Sequence, residues 1–249
     1  MFKLLTTDTE QSCFMKSGEA GIVAGASQLK TYSPITTNGL ICYFPCDDTT
    51  TTFKDIVSGA TLTPSGQVSY NNPGLMGTCW NCSYSSNNYG YCTSSSNPFT
   101  IPTTFSLSVC IKPDRGAYQS NSVIFEFGSY DRNTGYGIWM NSNRQLTARI
   151  NQNWNYYGSQ VSQDWHNVIF TYDRQTIKLY LDGELYHERS YTGTPNATSY
   201  IHAFSRGPGA GSYWEYYTGS LDEVRLYNRV LTADEIARFN TVYSRMKEK

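Results

Sequence analysis

Three segments of the chain place aromatic rings beside amide and hydroxyl groups, at residues 84–91, 151–157 and 213–217. Sugars present apolar C–H faces bordered by hydroxyl groups, so a flat ring next to planar hydrogen-bonding groups suits them. Asn and Gln both donate and accept hydrogen bonds, as a hydroxyl partner requires. Tyr and Trp are also common in protein interfaces and can fill a core, so all three roles stay open for each ring. The candidate glycan-binding residues are Asn153, Trp154, Asn155, Tyr156, Tyr157, Trp214, Tyr216 and Tyr217.

The acidic residues and histidines form no recognisable catalytic pattern. Glu126 stands alone in an apolar run, and the neighbours Asp222 and Glu223 should point to opposite faces of a strand. No Gly-x-Ser-x-Gly motif occurs, and the histidines have neither metal-ligand nor triad spacing. The histidines are His166, His187 and His202. We therefore expect no enzymatic activity.

Seven cysteines are present, an odd number that argues against a complete disulfide framework. Cys42 and Cys110 lie within apolar strand patterns and are predicted to be buried thiols. Cys79 and Cys82 form a CxxC motif, which Cys92 follows. This group leaves three alternatives, namely a zinc site, a disulfide within the three residues, or free thiols, and a zinc site would need a fourth ligand.

Composition argues against two classes of protein. The formal net charge is -1 and the chain has no basic run, so nucleic-acid binding is not expected. No stretch approaches the roughly 20 apolar residues of a membrane span, so membrane insertion is not expected either. Only 16% of the residues are charged, whereas 21 are tyrosine. The surface must therefore be rich in uncharged polar groups and tyrosine, which suit binding.

Short strands are the elements that would position these side chains. Residues 177–182 alternate apolar and polar side chains, which predicts a half-buried strand, and Asp182-Gly183 favours a tight hairpin turn. Many such runs separated by turn residues are typical of an all-β sandwich or jelly roll. A helix is predicted over 233–247, preceded by Thr232 and Glu235 at capping-box spacing. Further strands are predicted near 122–128, 135–141, 145–150, 184–191 and 200–204.

Several segments together carry a family resemblance. These are residues 39–48, 105–113, 165–173 with 177–183, and 219–236. In this order they resemble the opening strand, a central strand, a hairpin, and the closing strand with its trailing helix of laminin G-like (concanavalin A-like lectin/glucanase) domains. The resemblance implies a two-sheet antiparallel jelly-roll sandwich over residues 39–249, ending in a short helix. Most members of this family bind sugars or proteins, and the Glu-x-Asp-x-Glu pattern of its glucanases is missing here.

The resemblance also implies a calcium site, because many laminin G-like domains carry this ion. Asp47 and Asp222 match the family positions, and Asp48 and Asp55 are further candidates near the opening strand. The first and last strands of a jelly roll are typically neighbours, so these acids could converge, and calcium takes six to eight oxygen ligands. The alternative is that they are solvated turn acids bonded to local amides.

Residues 1–38 differ from the rest of the chain. They are polar, rich in small residues, and lack a sustained strand or helix period. We expect an extended arm that anchors the domain on another protein or in an oligomer, a trimer by preference, although packing along its own domain is an alternative. The segment does not match an export signal. With the unpaired thiols, this favours a protein made in a host cytoplasm.

Together these features favour a non-enzymatic virion structural and adhesion protein, such as a phage fibre or capsid decoration. Its domain would stand on the virion surface and bind host-surface glycans, while residues 1–38 would bind other virion proteins. The alternatives are a carbohydrate-binding module of a cellular, extracellular protein and a purely architectural interaction domain.

Overall fold

The computed structural model describes residues 21–25, 28–32, 35–83, 91–94, 102–114, 121–128, 134–154, 158–196, 200–205 and 216–248, with 21–32 and Trp154 described by backbone alone. Eighteen strands and one helix lie within these residues. The strands are β1 (Gly21–Gly25), β2 (Gln28–Tyr32), β3 (Leu40–Phe44), β4 (Phe53–Lys54), β5 (Thr61–Ser65), β6 (Val68–Pro73), β7 (Thr78–Cys82), β8 (Tyr91–Ser94), β9 (Phe105–Pro113), β10 (Ser122–Gly128), β11 (Gly135–Met140), β12 (Leu146–Ile150), β13 (Asn153–Trp154), β14 (His166–Tyr172), β15 (Thr176–Leu181), β16 (Glu184–Ser190), β17 (Tyr200–Ala203) and β18 (Gly219–Tyr227). The helix, α1, spans Ala233–Lys247.

Strands β3 to β18 form two antiparallel sheets. In the first sheet β16, β15, β14, β9, β18, β7 and β6 lie side by side in this order, and β3 pairs with β18 beyond the end of β7. In the second sheet the order is β13, β12, β11, β10, β17, β8, β5 and β4. Buried apolar side chains of both sheets form one cluster. This arrangement confirms the jelly-roll sandwich predicted from the sequence.

The core between the sheets is filled by alternate strand residues and by aromatic rings. In β15, Ile177 and Leu179 are buried whereas Lys178 and Tyr180 are partly exposed, as the alternation predicts. The Trp80 ring stacks on Phe53 with centroids 4.3 Å apart and meets Phe44 edge-on at 5.6 Å. Such pairs stabilise the packing beyond the area they bury.

Helix α1 covers the outer face of the first sheet. It begins at the predicted capping box, in which the Glu235 N–H donates to the Thr232 hydroxyl at 3.3 Å and the Thr232 N–H donates to the Glu235 carboxylate at 2.9 Å. Its buried side chains, Ile236, Phe239 and Tyr243, join the cluster on that face. In the described ranges, no helix is long and apolar enough to cross a membrane.

Part of the predicted arm is paired with itself. Strands β1 and β2 form an antiparallel hairpin that belongs to neither sheet of the sandwich. Residues 21–25 and 28–32 therefore form a regular element, although the sequence shows no sustained strand period there. A ladder of backbone hydrogen bonds satisfies N–H and C=O groups without large side chains, which explains how the small residues of β1 can form a strand.

The last residues assigned to the arm pack against the body. The Tyr227 hydroxyl donates to the Thr36 carbonyl at 2.9 Å, and Arg229 Nε donates to the Asn38 carbonyl at 2.8 Å. Ile35 lies against the apolar cluster beneath α1. Residues 35–38 thus contact the sandwich directly.

All six described cysteines are buried. Cys42, Cys46, Cys79, Cys92 and Cys110 carry free thiols, which excludes a disulfide within the group Cys79, Cys82 and Cys92. Burial raises the pKa of the thiols of Cys42, Cys46, Cys92 and Cys110. These residues are protonated packing groups, as was predicted for Cys42 and Cys110.

Candidate functional site

The structure describes four of the eight candidate glycan-binding residues. Asn153 and Trp154 form β13, the edge strand of the second sheet, and the Asn153 side chain is exposed. Trp154 pairs in register with Arg149 of β12. Asn155, Tyr156, Tyr157 and Trp214 lie outside the described residues. Asn153 and Trp154 therefore lie at an open edge of the sandwich.

Tyr216 and Tyr217 are buried and face no ligand. Their exposed fractions are 4% and 1%. The Tyr217 ring lies nearly parallel to Phe204 with centroids 6.2 Å apart, and the Ser122 hydroxyl donates to the Tyr216 carbonyl at 2.5 Å. The prediction that these two rings bind glycan is wrong, because they directly precede the buried strand β18 and take the core-packing role that was the alternative.

Side chains from both sheets meet beside β13. Tyr186, on the edge strand β16 of the first sheet, accepts from the Leu146 N–H at 3.2 Å and donates to the Ser159 carbonyl. Arg189 Nη2 lies 3.5 Å from Asn153 Oδ1. These contacts place the two edge strands on the same side of the sandwich. We define the edge platform as Asn151, Asn153, Tyr186, Arg189 and Tyr191.

Glycine residues hold the two platform tyrosines in place. A Cβ at Gly158 would overlap the Tyr186 ring, and a Cβ at Gly193 would overlap Tyr191, so only glycine lets the backbone approach these rings so closely. The Tyr191 ring also packs against Tyr172, with centroids 5.7 Å apart. Burial raises the pKa of Tyr186, which keeps its hydroxyl neutral. Both rings are thus fixed and partly exposed.

The Asn151 side chain links the turn after β12 to residues 194–196. Its φ of 54° lies in the left-handed region, which Asn tolerates better than most residues. Its Nδ2 donates to the Thr194 carbonyl at 2.9 Å, and its Oδ1 accepts from the Asn196 N–H at 2.8 Å. The exposed amide of Asn153, the Arg189 guanidinium and the two rings are then the groups that can meet a ligand.

The chemistry of the edge platform suits binding rather than hydrolysis. It combines an amide, which donates and accepts, with a guanidinium donor and two flat rings. No platform side chain is a carboxylate, whereas hydrolysis of a glycosidic bond uses a pair of them. A polyhydroxylated ligand fits this combination of groups.

A buried ion pair lies next to the platform, on the second sheet. Glu126 Oε1 and Arg149 Nη2 are 2.6 Å apart, and both side chains are fully buried. Gly137 of β11 lies between them in register with both, and a Cβ there would come within 2.8 Å of Glu126 Cβ. The glycine lets the two side chains meet across the intervening strand. Sequence spacing missed this pair because strand order creates it, although a glycine inside a strand was a usable signal.

The four acids of the predicted calcium site each hold a loop. Asp47, Asp48 and Asp55 accept the backbone N–H groups of Thr78, Lys54 and Tyr43 at 2.7, 3.1 and 2.7 Å. Asp222 Oδ2 accepts from the N–H groups of Leu75 and Met76 at 2.9 and 3.0 Å. Within the described ranges, no group of three or more His, Cys, Asp or Glu side chains is arranged to hold a metal ion. The four acids therefore do not fit a shared calcium site, and calcium binding stays a prediction from the resemblance.

Asp222 and Glu223 lie on the same side of β18, although strict alternation predicted opposite faces. Leu221 and Val224 on either side of them both belong to the core. The pairing with β9 shifts register between Asp222 and Arg225, and Glu223 has a φ of 57°. A β-bulge therefore turns both acids away from the core.

His166 takes part in a side-chain relay that its sequence spacing did not indicate. Its Nδ1 lies 2.6 Å from Asp182 Oδ2, and its Nε2 lies 2.8 Å from Ser162 Oγ. The histidines have no triad spacing in the sequence, and this relay is formed by tertiary placement. The β14–β15 hairpin returns Asp182 to His166 across 16 positions of sequence.

Comparison with known families agrees with this geometry. A family model described as "Concanavalin A-like lectin/glucanases superfamily" matches residues 86–237, which is more than half of the chain. The chain belongs to this family. The matched region contains the whole edge platform, so the concanavalin A-like assignment covers the candidate site as well as the sandwich. No curated protein sequence matches the chain.

Solved structures share this concanavalin A-like fold at low sequence identity. A structure of botulinum neurotoxin type C, whose cell entry is described as dependent upon two ganglioside molecules, has a TM-score of 0.64 and 15% identity over 82% of this chain and 51% of that chain. The binding domain of botulinum neurotoxin DC in complex with rat synaptotagmin II has a TM-score of 0.63 and 15% identity over 82% and 52%. Domain 4 of AbnA, a GH43 extracellular arabinanase from Geobacillus stearothermophilus in complex with arabinotriose, has a TM-score of 0.58 and 17% identity over 80% and 96%. The chain spans about half the length of the neurotoxin structures, and these similarities show the fold alone.

Proposed function

We propose that this chain is a lectin-like adhesion domain of a virion structural protein and that its edge platform binds host-surface glycans. The observation that carries the proposal is that the Asn153 amide and the Arg189 guanidinium, 3.5 Å apart, share one edge of the sandwich with two partly exposed tyrosine rings. A glycan needs this pairing of flat ring and hydrogen-bonding edge. Membership of a superfamily that includes lectins as well as glucanases supports the binding role.

The virion part of the proposal is supported by cysteine usage and by the N-terminal segment. Buried free thiols fit synthesis in a host cytoplasm followed by release. The β1–β2 hairpin belongs to neither sheet of the sandwich, so residues 1–34 are the segment proposed to bind other virion proteins or to join copies of the chain, with a trimer preferred. The domain would then stand on the virion surface.

A glycan array with matched variants tests the binding role. The wild type should bind at least one glycan, and Asn153→Ala, Arg189→Ala and Trp154→Ala should each weaken the dissociation constant about tenfold or more, because each removes a hydrogen-bonding group or a ring. Asn143→Ala and Arg238→Ala are matched controls, since both residues are exposed and lie outside the platform. Binding that survives all three of these variants would move the site elsewhere, and a wild type that binds no glycan would leave a purely architectural role.

The alternative is that the chain is a carbohydrate-binding module of a cellular protein that acts outside the cell. The similarity to domain 4 of AbnA favours it, because that domain was solved with arabinotriose and is covered over 96% of its length. Binding to plant-type oligosaccharides such as arabinotriose, with no binding to bacterial cells, would support this alternative over host attachment.

A further inference from the structure

Ser162, His166 and Asp182 form a continuous hydrogen-bonded chain at the surface, next to the start of β14. Ser162 Oγ lies 2.8 Å from His166 Nε2, and His166 Nδ1 lies 2.6 Å from Asp182 Oδ2. An ionised carboxylate only accepts hydrogen bonds, so the ring carries its N–H on Nδ1 and, when neutral, presents a lone pair on Nε2 to the serine. This is the order of groups in which a base activates a hydroxyl nucleophile.

The fold holds the carboxylate and the imidazole firmly. Asp182 has a φ of 49° in the hairpin turn, and its Oδ1 accepts from the Asn167 N–H at 2.9 Å and from Lys247 Nζ of α1 at 3.0 Å. Burial acts to raise the pKa of Asp182, but hydrogen bonds from His166, Asn167 and Lys247 outweigh it and lower the pKa. The His166 side chain is 13% exposed and that of Asp182 31%. The base is therefore oriented by a carboxylate that stays ionised.

The serine, in contrast, is open to solvent. Ser162 is exposed, and the Asp164 N–H donates to its Oγ at 3.2 Å, so one backbone donor already lies beside the reacting oxygen. The Asp164 carboxylate lies 3.0 Å from the same hydroxyl and competes with His166 for its proton. A small substrate can reach Oγ without any movement of the sandwich.

We propose that Ser162, His166 and Asp182 form a nucleophilic triad that hydrolyses small carboxylic esters. Ser162 and His166 are the catalytic residues, and Asp182 is the positioning residue. The activity is separate from glycan binding, because none of the three residues belongs to the edge platform.

The reaction needs no group beyond the ester and water. The Ser162 proton passes to His166 Nε2 while Oγ bonds to the ester carbonyl carbon. The alcohol then leaves with its bonding electron pair and takes that proton from Nε2. A water molecule gives one proton to Nε2, attacks the acyl carbon, and releases the carboxylic acid as Oγ recovers the proton.

Fluorophosphonate labelling and p-nitrophenyl acetate hydrolysis by the full chain test this proposal. Peptide mass mapping should place the phosphonate on Ser162, and Ser162→Ala should remove both label and hydrolysis. His166→Gln should slow hydrolysis about 100-fold, as expected for loss of a general base. Asp182→Asn should lower kcat with little change in KM, and the ¹⁵N shifts of His166 should show its proton moved from Nδ1 to Nε2. Ser69→Ala, at another exposed serine, should leave both signals unchanged.

Two results from the variants would overturn the triad, and a third comes from the wild type. One is labelling or hydrolysis that Ser162→Ala leaves at the wild-type level, in a variant whose thermal unfolding is also unchanged. The other is an Asp182→Asn variant that keeps both the wild-type kcat and the Nδ1–H tautomer of His166, because Asp182 would then have no positioning role. A wild type that takes up no label and hydrolyses p-nitrophenyl acetate no faster than Ser162→Ala contradicts the proposal equally.

Discussion

Buried charges beneath α1 differ in how well their neighbours compensate them. Glu223 accepts from the Tyr43 hydroxyl at 3.0 Å and from the Tyr243 hydroxyl at 3.3 Å, and it pairs with Arg225. This network offsets the cost of removing its charges from water. Asp222 lacks such a cation, and within the described residues its buried Oδ1 has no hydrogen-bond partner. Burial, followed by the charge of Glu223, raises the pKa of Asp222 well above 3.8.

We expect Asp222→Asn to stabilise the fold at neutral pH by about 1 kcal/mol. A carboxyl with a raised folded pKa binds its proton more tightly in the folded state, so stability is lost as the pH rises from 3.8 towards the raised value. Asn keeps an acceptor for the N–H groups of Leu75 and Met76 but carries no charge. Urea unfolding across a range of pH should show that the free energies of unfolding of the wild type and Asp222→Asn converge in acid. The difference between them should grow as the pH rises.

The matched control for this substitution is Asp173→Asn. Asp173 also accepts a backbone N–H, that of Gln175 at 2.8 Å, but it is exposed. A gain of equal size in the control, or a gain for Asp222→Asn that persists unchanged in acid, would contradict the assignment to a buried, uncompensated carboxyl.

Elements with strong local signals could be predicted from the sequence. The alternation in β15 and the capping box of α1 depend only on neighbouring residues, and both form as predicted. Strands β4 to β8 were not predicted, because their segments are rich in Thr, Ser and Asn and have few alternating apolar residues. Tertiary pairing helps to determine these strands, since β5, β7 and β8 also pair with strands distant in sequence.

We expect Glu235→Gln to lower the free energy of unfolding at neutral pH by about 1 kcal/mol through loss of the screened ion pair with Arg229, because Gln keeps an acceptor for the Thr232 N–H. The hydrogen bond from Arg229 is the main reason that the pKa of Glu235 falls to about 2. A lowered carboxyl pKa supplies stability above its ordinary 4.5, and this stability is lost as the pH falls through about 2. The deficit of the variant should therefore shrink in acid when measured by denaturant unfolding.

Asp234→Asn serves as the control for α1. Asp234 lies in the same helical turn but is exposed. Two results would assign the effect to the charge of an acidic residue near the start of the helix instead of the Arg229–Glu235 pair. One is a loss of unfolding free energy in Glu235→Gln that stays constant towards low pH, and the other is an equal loss in Asp234→Asn.

At the scale of the whole molecule, the boundary between arm and body matters for any test of assembly. Residues 35–38 contact the sandwich through Tyr227 and Arg229, so a deletion of residues 1–38 would damage the body. A deletion of residues 1–34 leaves these contacts in place.

We expect native mass measurement to find an oligomer, with a trimer preferred, for the full chain and a monomer for the 1–34 deletion, with thermal unfolding of the sandwich unchanged. A deletion of residues 1–20, which keeps β1 and β2, separates a contribution of the hairpin from that of the first twenty residues. A monomer in all three cases would remove the anchoring role of the arm.

The sequence by itself determined the two-sheet class, the main strands in their order along the chain, the C-terminal helix and the family resemblance. These depend on side-chain period, turn residues and caps, which act over a few positions. Only the tertiary structure decided which side chains meet. Asn153 and Arg189 come from different sheets, Glu126 and Arg149 meet across Gly137, and Tyr216 is buried beside β18. Strand order and burial place these residues together, and neither is encoded in local spacing.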